Sequence, residues 1–182
     1  MRRVTQQQLV EVDENGVILP DSRGDCYPAC LASIFELPLS AVPGMGGNTR
    51  TVFDWLALNF PGIGIVSRSW MEPKAPYYRA GFWIATVISS RFREPDCHHC
   101  TPDRRRKSKP PYFYRRAECP VCDGTGHARG LHAIVMENAR RVWDPHPEAD
   151  WTSEPQIVGE DYFVVTDPAR LAARSLPSPV PA

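Results

Sequence analysis

Six cysteines divide this chain into two kinds of candidate chemistry. A thiolate is both a nucleophile and a metal ligand, and its surroundings decide which it becomes. Cys26 and Cys30 stand at the start of an apolar stretch, DCYPACLASIFEL, whose spacing predicts a largely buried helix. In the first turn of that helix, unpaired backbone donors and the helix dipole favour a negative sulfur, which makes Cys26 a candidate nucleophile. Acyl transfer from such a thiol needs a base that takes its proton and later delivers it to the leaving group. His132, in GLHAIVME, is the candidate base, and Asp144, in VWDPHP, is the group to fix its tautomer and steady the imidazolium. Each residue also has a plainer reading: a small buried hydrophobe for a helical cysteine, a structural histidine at a strand start, and a turn opener for an aspartate before proline. Cys30 is read in that plainer way. What lifts the set above its parts is the order: cysteine at a helix start, histidine on a strand, aspartate on the next.

The other four cysteines form two CxxC pairs, Cys97 with Cys100 and Cys119 with Cys122. Two such knuckles enclosing residues 101–118 match a structural zinc ribbon, in which four thiolates close a tetrahedron around Zn²⁺ and leave no open position. Glycines in CPVCDGTGH let backbone amides turn toward the sulfurs. His98, His99 and His127 are competing ligands, and an iron–sulfur cluster would use the same cysteines. Between the knuckles the chain is basic. Residues 91–116 carry nine Lys or Arg against three Asp or Glu, net +6, with Tyr112, Phe113 and Tyr114 interleaved. Basic groups release counterions from phosphates and aromatic rings stack on bases, so nucleic acid or an acidic protein surface is a candidate partner, the alternative being a solvated loop.

These residues must be carried by a core. LVEVDENGVIL reads as a hairpin about Asn15-Gly16. The Cys26 helix is expected to stop at Pro38, and a second helix is expected in TRTVFDWLALNF, with Thr49 or Thr51 as cap and Pro61-Gly62 as terminator. GIGIVSRSW and YYRAGFWIATVISSRF are rich in β-branched and aromatic residues and read as strands. After the cysteine-rich segment, LHAIVME, RRVWDPH and DYFVVTDP supply three more, the first two joined by a hairpin at Asn138 and Ala139. The fold class is therefore α+β. Its predicted divisions are a domain over 1–168, an inserted zinc ribbon over 93–127, and a flexible tail over 169–182.

With 182 residues the chain fits one core with an elaboration. Twenty-one basic and 21 acidic residues balance, so no global field points to nucleic acid or an anionic membrane. No apolar run approaches the roughly 20 residues of a membrane-spanning helix, and MRRVTQQQLVEVDENG lacks the apolar core of a secretory signal, so a cytoplasmic location and no membrane partner are expected. In a reducing compartment the cysteines serve metal or catalysis rather than disulfides.

The run GDCYPACLASIFELPLSAVP, together with HAIVMENARRVWDPHP, resembles a family of bacterial and bacteriophage papain-like cysteine peptidase-like proteins, related to the double-glycine leader peptidases. The resemblance covers most of residues 1–168 outside two insertions. It implies a papain-like fold, a helix packed on an antiparallel sheet, with Cys26 as nucleophile, His132 as base and Asp144 as orienter. The implied activity is hydrolysis of a peptide or isopeptide bond, with acyl transfer a close variant. Papain-like enzymes place an oxyanion-binding glutamine shortly before the nucleophile, yet residues 20–24 hold none. Gln6 takes that role if LVEVDENGVIL loops out as an inserted hairpin; otherwise Gln6 to Gln8 are an exposed polar stretch. The reading from a different class is a catalytically inactive scaffold whose basic zinc insertion binds nucleic acid or a protein.

Overall fold

The computed structural model describes residues 1–19, 22–44, 49–69, 81–94, 97, 122 and 125–169. They form an α+β arrangement: helix α1 (Cys26–Ile34), a short 3₁₀ turn (Leu39–Ala41), helix α2 (Thr49–Asn59), and strands β1 (Ile63–Ser69), β2 (Phe82–Arg93), β3 (Arg129–Glu137), β4 (Arg140–Trp143) and β5 (Ile157–Val165). The strands make one five-stranded sheet in the order β1-β5-β2-β3-β4, antiparallel at every pairing.

The central strands are apolar on both faces. Ile84 of β2 lies opposite Val135 of β3, and with Ala133 they meet Cys30, Leu31 and Ala32 of α1 and Val52, Leu56 and Phe60 of α2. The neighbouring residues in the pleat, Trp83, Ala85, Ile134 and Met136, point the other way and pack with Val87 and Tyr162. This explains why FWIATV and HAIVM read as nearly continuous hydrophobic runs rather than alternating ones. Phe35, just past α1, joins helices to sheet, its ring centroid 4.3 Å from Phe60 and 5.1 Å from Phe163.

Helix α1 is buried from Pro28 through Ser33. Its proline is harmless there, because a first-turn residue has no intrahelical N–H partner to lose. The helix ends at Ile34, ahead of Pro38: Glu36 takes a positive φ of 57° and the Leu37 N–H returns to the Ala32 carbonyl at 2.9 Å. A left-handed residue therefore ends the helix before the proline can.

The segment LVEVDENGVIL turns where expected but does not build a strand pair. Only Val12 and Ile18 pair antiparallel, while Asp13 Oδ1 accepts the N–H groups of Asn15 at 2.8 Å and Val17 at 2.9 Å, closing the turn ahead of Gly16 at φ +74°. The arms are joined by the Asp13 N–H to the Val17 carbonyl and the Leu19 N–H to the Glu11 carbonyl, both at 2.9 Å, and the returning arm also bonds outward: the Ile18 N–H donates to the Arg93 carbonyl, and the Arg93 N–H to the Gly16 carbonyl, at the far end of β2. No helix among the described residues is long and apolar enough to cross a membrane. The expected tail lies beyond the described residues except for Ala169.

Candidate active site

Three elements converge on one point. Cys26 opens α1 and is half-buried. His132 stands near the start of β3, 7% exposed, and Asp144 follows β4 directly, 5% exposed. The β3–β4 hairpin that joins the latter two turns at Asn138, whose φ is +53°. Asparagine tolerates this left-handed backbone, and here it is held three ways. Its N–H donates to the Gly81 carbonyl at 3.0 Å, its Oδ1 accepts the Gly81 N–H at 3.2 Å, and its carbonyl accepts the Trp83 indole N–H at 2.8 Å. Val135 then lies opposite Trp143, and continuing that register past β4 sets Asp144 diagonal to His132 and His146 across from it.

Asp144 Oδ1 lies 2.7 Å from His132 Nε2 and accepts the His146 N–H at 2.9 Å. With Nε2 engaged, Nδ1 is the ring nitrogen left for Cys26, which lies near enough to act on the imidazole. Burial alone would push the imidazole down, but the Asp144 hydrogen bond, then the neighbouring Cys26, outweigh it and raise His132 to about 9. Burial works upward on Asp144; the His132 bond and charge, with the His146 amide, win and hold its carboxyl below the usual range. An imidazole held between a carboxylate and a thiol is the arrangement of a thiol nucleophile with its base and orienting group.

Sequence reading named these three, which the structure brings together, and it missed their neighbours. His146 lies beside His132, ring centroids 6.1 Å apart, and its Nδ1 accepts the Glu148 N–H at 3.0 Å, which leaves the proton on Nε2. Burial, then the charges of Arg91 and His132, push His146 down. The guanidinium of Arg91 in turn donates to the Glu148 carbonyl. The Asp-Pro-His spacing was the available clue. Tyr27 donates its hydroxyl to Asp161 Oδ2 at 2.9 Å, tying the first turn of α1 to β5; burial first, then that carboxylate, push the phenol upward. Cys30 is fully buried in the helix–sheet core, and burial raises its thiol.

Gln6 is drawn into the same neighbourhood by an extended N-terminal segment. The Val4 N–H donates to Ser33 Oγ at 3.0 Å, the Trp143 indole donates to the Val4 carbonyl at 3.0 Å, and the Gln6 N–H donates to the Pro145 carbonyl at 3.0 Å. Two residues on, the Gln8 N–H donates to Asp25 Oδ1 and the Asp25 N–H donates to the Gln8 carbonyl, so Gln6 is bracketed by the neighbour of Asp144 on one side and the neighbour of Cys26 on the other. Its side chain is buried at 8% exposure, and its Oε1 has no hydrogen-bond partner among the described residues. A buried carbonyl oxygen left in that state costs about 1–3 kcal/mol.

Of the expected metal ligands, Cys97 and Cys122 are described. Both are fully buried and pack together against Ala128. The Gly126 N–H donates to Cys122 Sγ at 3.3 Å, and the Cys97 N–H donates to the Gly126 carbonyl at 2.8 Å. An amide aimed at sulfur is the outer-shell support that a metal-bound thiolate uses. Cys100, Cys119, His98, His99 and most of the basic segment 91–116 lie outside the described residues, and His127 is half-buried. Among the described residues no three His, Cys, Asp or Glu side chains gather as a metal site.

Searches of the chain against protein-family models, curated proteins and solved structures return no match.

Proposed function

We propose that this chain is a papain-like thiol hydrolase that cleaves a peptide or isopeptide bond through Cys26, His132 and Asp144. The observation that carries the reading is the buried 2.7 Å contact between the His132 ring and the Asp144 carboxylate, with Cys26 at the start of α1 close enough to act on the same imidazole. The Cys26 sulfur attacks the substrate carbonyl, forming a C–S bond and a tetrahedral oxyanion. His132, protonated by transfer from the thiol, gives that proton to the leaving amine as the C–N bond breaks and a thioester remains. Water, deprotonated by His132, then attacks the thioester; the C–S bond breaks, the acid product leaves, and the thiol–imidazole pair is restored. Asp144 keeps Nε2 engaged throughout, so Nδ1 faces sulfur. The oxyanion takes hydrogen bonds from the Cys26 backbone N–H and the Gln6 side chain, donors that act most strongly where charge develops. Acyl transfer differs only in the acceptor that replaces water.

The cysteine-rich insertion fits a structural Zn²⁺ held by Cys97, Cys100, Cys119 and Cys122, a reading supported by two buried, mutually packed cysteines and an amide directed at one sulfur. When bound, such an ion supplies a closed tetrahedral staple and takes no part in bond cleavage. The basic stretch within the insertion is then a surface for substrate selection.

The deciding experiment is alkylation with iodoacetamide at neutral pH, read by peptide mass spectrometry. Preferential labelling of Cys26, lost in His132→Ala, supports the hydrolase. Slow, uniform labelling of the cysteines would instead favour the inactive scaffold that binds nucleic acid or protein through its basic insertion.

A further inference from the structure

Asp25 precedes Cys26 and occupies the N-cap of α1, yet its carboxylate makes no capping hydrogen bond to the helix. An N-cap side chain normally accepts from the second or third helical N–H. The third helical residue here is Pro28, which has no N–H to give. Freed from capping, the carboxylate turns to the N-terminal segment: Oδ1 accepts the Gln7 N–H at 3.1 Å and the Gln8 N–H at 3.0 Å, and Oδ2 accepts from Gln7 at 3.2 Å. The Asp25 N–H donates back to the Gln8 carbonyl at 3.1 Å. These bonds close the base of the loop over residues 9–24 and fix the backbone adjoining Gln6.

We propose that Asp25 is a positioning residue: its carboxylate latches the Gln6–Gln8 backbone to the start of α1, so that the Gln6 amide is held at the oxyanion that forms on Cys26. The inference rests on the thiol-hydrolase reading and adds to it the part that holds the oxyanion donor. It separates two jobs on adjacent residues, nucleophile on Cys26 and placement of the donor on Asp25. Without the latch, Gln6 keeps its backbone bond to Pro145, and its other side is held only by the bond from the backbone N–H of residue 25 to the Gln8 carbonyl.

The test exploits a chemical difference between two reagents. Iodoacetamide alkylates sulfur at a saturated carbon and forms no oxyanion. p-Nitrophenyl acetate acylates it through a tetrahedral oxyanion, the new C–S bond forming as p-nitrophenolate departs. In Asp25→Ala, acylation of Cys26 is expected to fall about 10- to 100-fold, below the full loss of an oxyanion donor, while alkylation stays within about twofold. Asp25→Asn, which keeps an oxygen acceptor, is expected to lose less. Asp25→Ala combined with Gln6→Ala is expected to acylate no more slowly than Gln6→Ala alone, since both act through one donor. Hydrogen exchange of the Gln7 and Gln8 amides should accelerate in Asp25→Ala while that of β3 is unchanged, a readout independent of any chemistry.

Unchanged acylation, a parallel fall in alkylation, or additive losses in the double variant would overturn the latch. A wild-type protein that shows neither preferential Cys26 alkylation nor a Cys26-dependent burst of p-nitrophenolate would instead overturn the hydrolase reading, and the positioning role with it.

Discussion

Asp144→Asn isolates charge from shape at the candidate site. The asparagine Oδ1 can still accept from His146, and the side chain fills the same volume, so the perturbation falls on the 2.7 Å contact with His132. A hydrogen bond to a charged partner contributes about 1.5–3 kcal/mol and a neutral one about 0.5–1.5, so the change removes about 1–1.5 kcal/mol of preference for the imidazolium. At about 1.4 kcal/mol per unit this is close to one pKa unit, and loss of the carboxylate's direct attraction brings the shift to about one to two units. His132, raised to about 9 in the native chain, should then titrate between about 7 and 8. The assay is an NMR titration of the imidazole C–H resonances, with His132 assigned by its disappearance in His132→Gln. In parallel, Cys26 acylation by p-nitrophenyl acetate should slow by about tenfold or more. If His132 titrates unchanged near 9 in the variant, the carboxylate is not what holds its proton, and the reasoning about the triad's electrostatics fails.

The same residue ties stability to pH. Because folding raises His132 from its ordinary 6.5 to about 9, its contribution is complete below about 6.5 and is lost as pH rises through about 9. Urea midpoints should therefore fall between those values in the native chain and change less in His132→Gln. Asp144 acts oppositely, stabilising above the ordinary carboxylate value and losing that contribution as pH drops through its lowered one. Gly130→Ala would put a Cβ 2.1 Å from Phe92 Cδ2 and 2.7 Å from the Phe92 carbonyl, two residues before His132. Overpacking of this kind costs about 1–3 kcal/mol, and for a chain of this size each kcal/mol lowers Tm by about 2–4 °C, measurable by calorimetry. Zinc released on denaturing the purified protein should approach about one ion per chain and fall sharply in Cys122→Ser; none after metal-replete expression would remove the zinc proposal.

The elements were largely legible in the sequence because their causes are local. VFDWLAL shows helical spacing, FWIATVI and HAIVM are apolar on both faces, and Asn138 marks a turn whose left-handed backbone few residues accept. The hairpin at Asn15-Gly16 was legible because its turn chemistry is local; that its returning arm also bonds to the end of β2, a partner distant in sequence, was not. Cys26, His132 and Asp144 could be named from order and residue type. Gln6 could be named only as a conditional, because its position depends on Asp25 reaching back across a loop, a bond no periodicity encodes. The clue to that bond was the proline at the third helical position, which denies an N-cap aspartate one of its usual donors.

The junction of Gln8 with Asp25 has an evolutionary meaning. Whatever lies on the far side of that crossing can lengthen, shorten or change sequence at small thermodynamic cost, since the entropy of closing a loop grows only slowly with its size. That stretch can thus vary while the start of α1 and the segment carrying Gln6 keep their spacing.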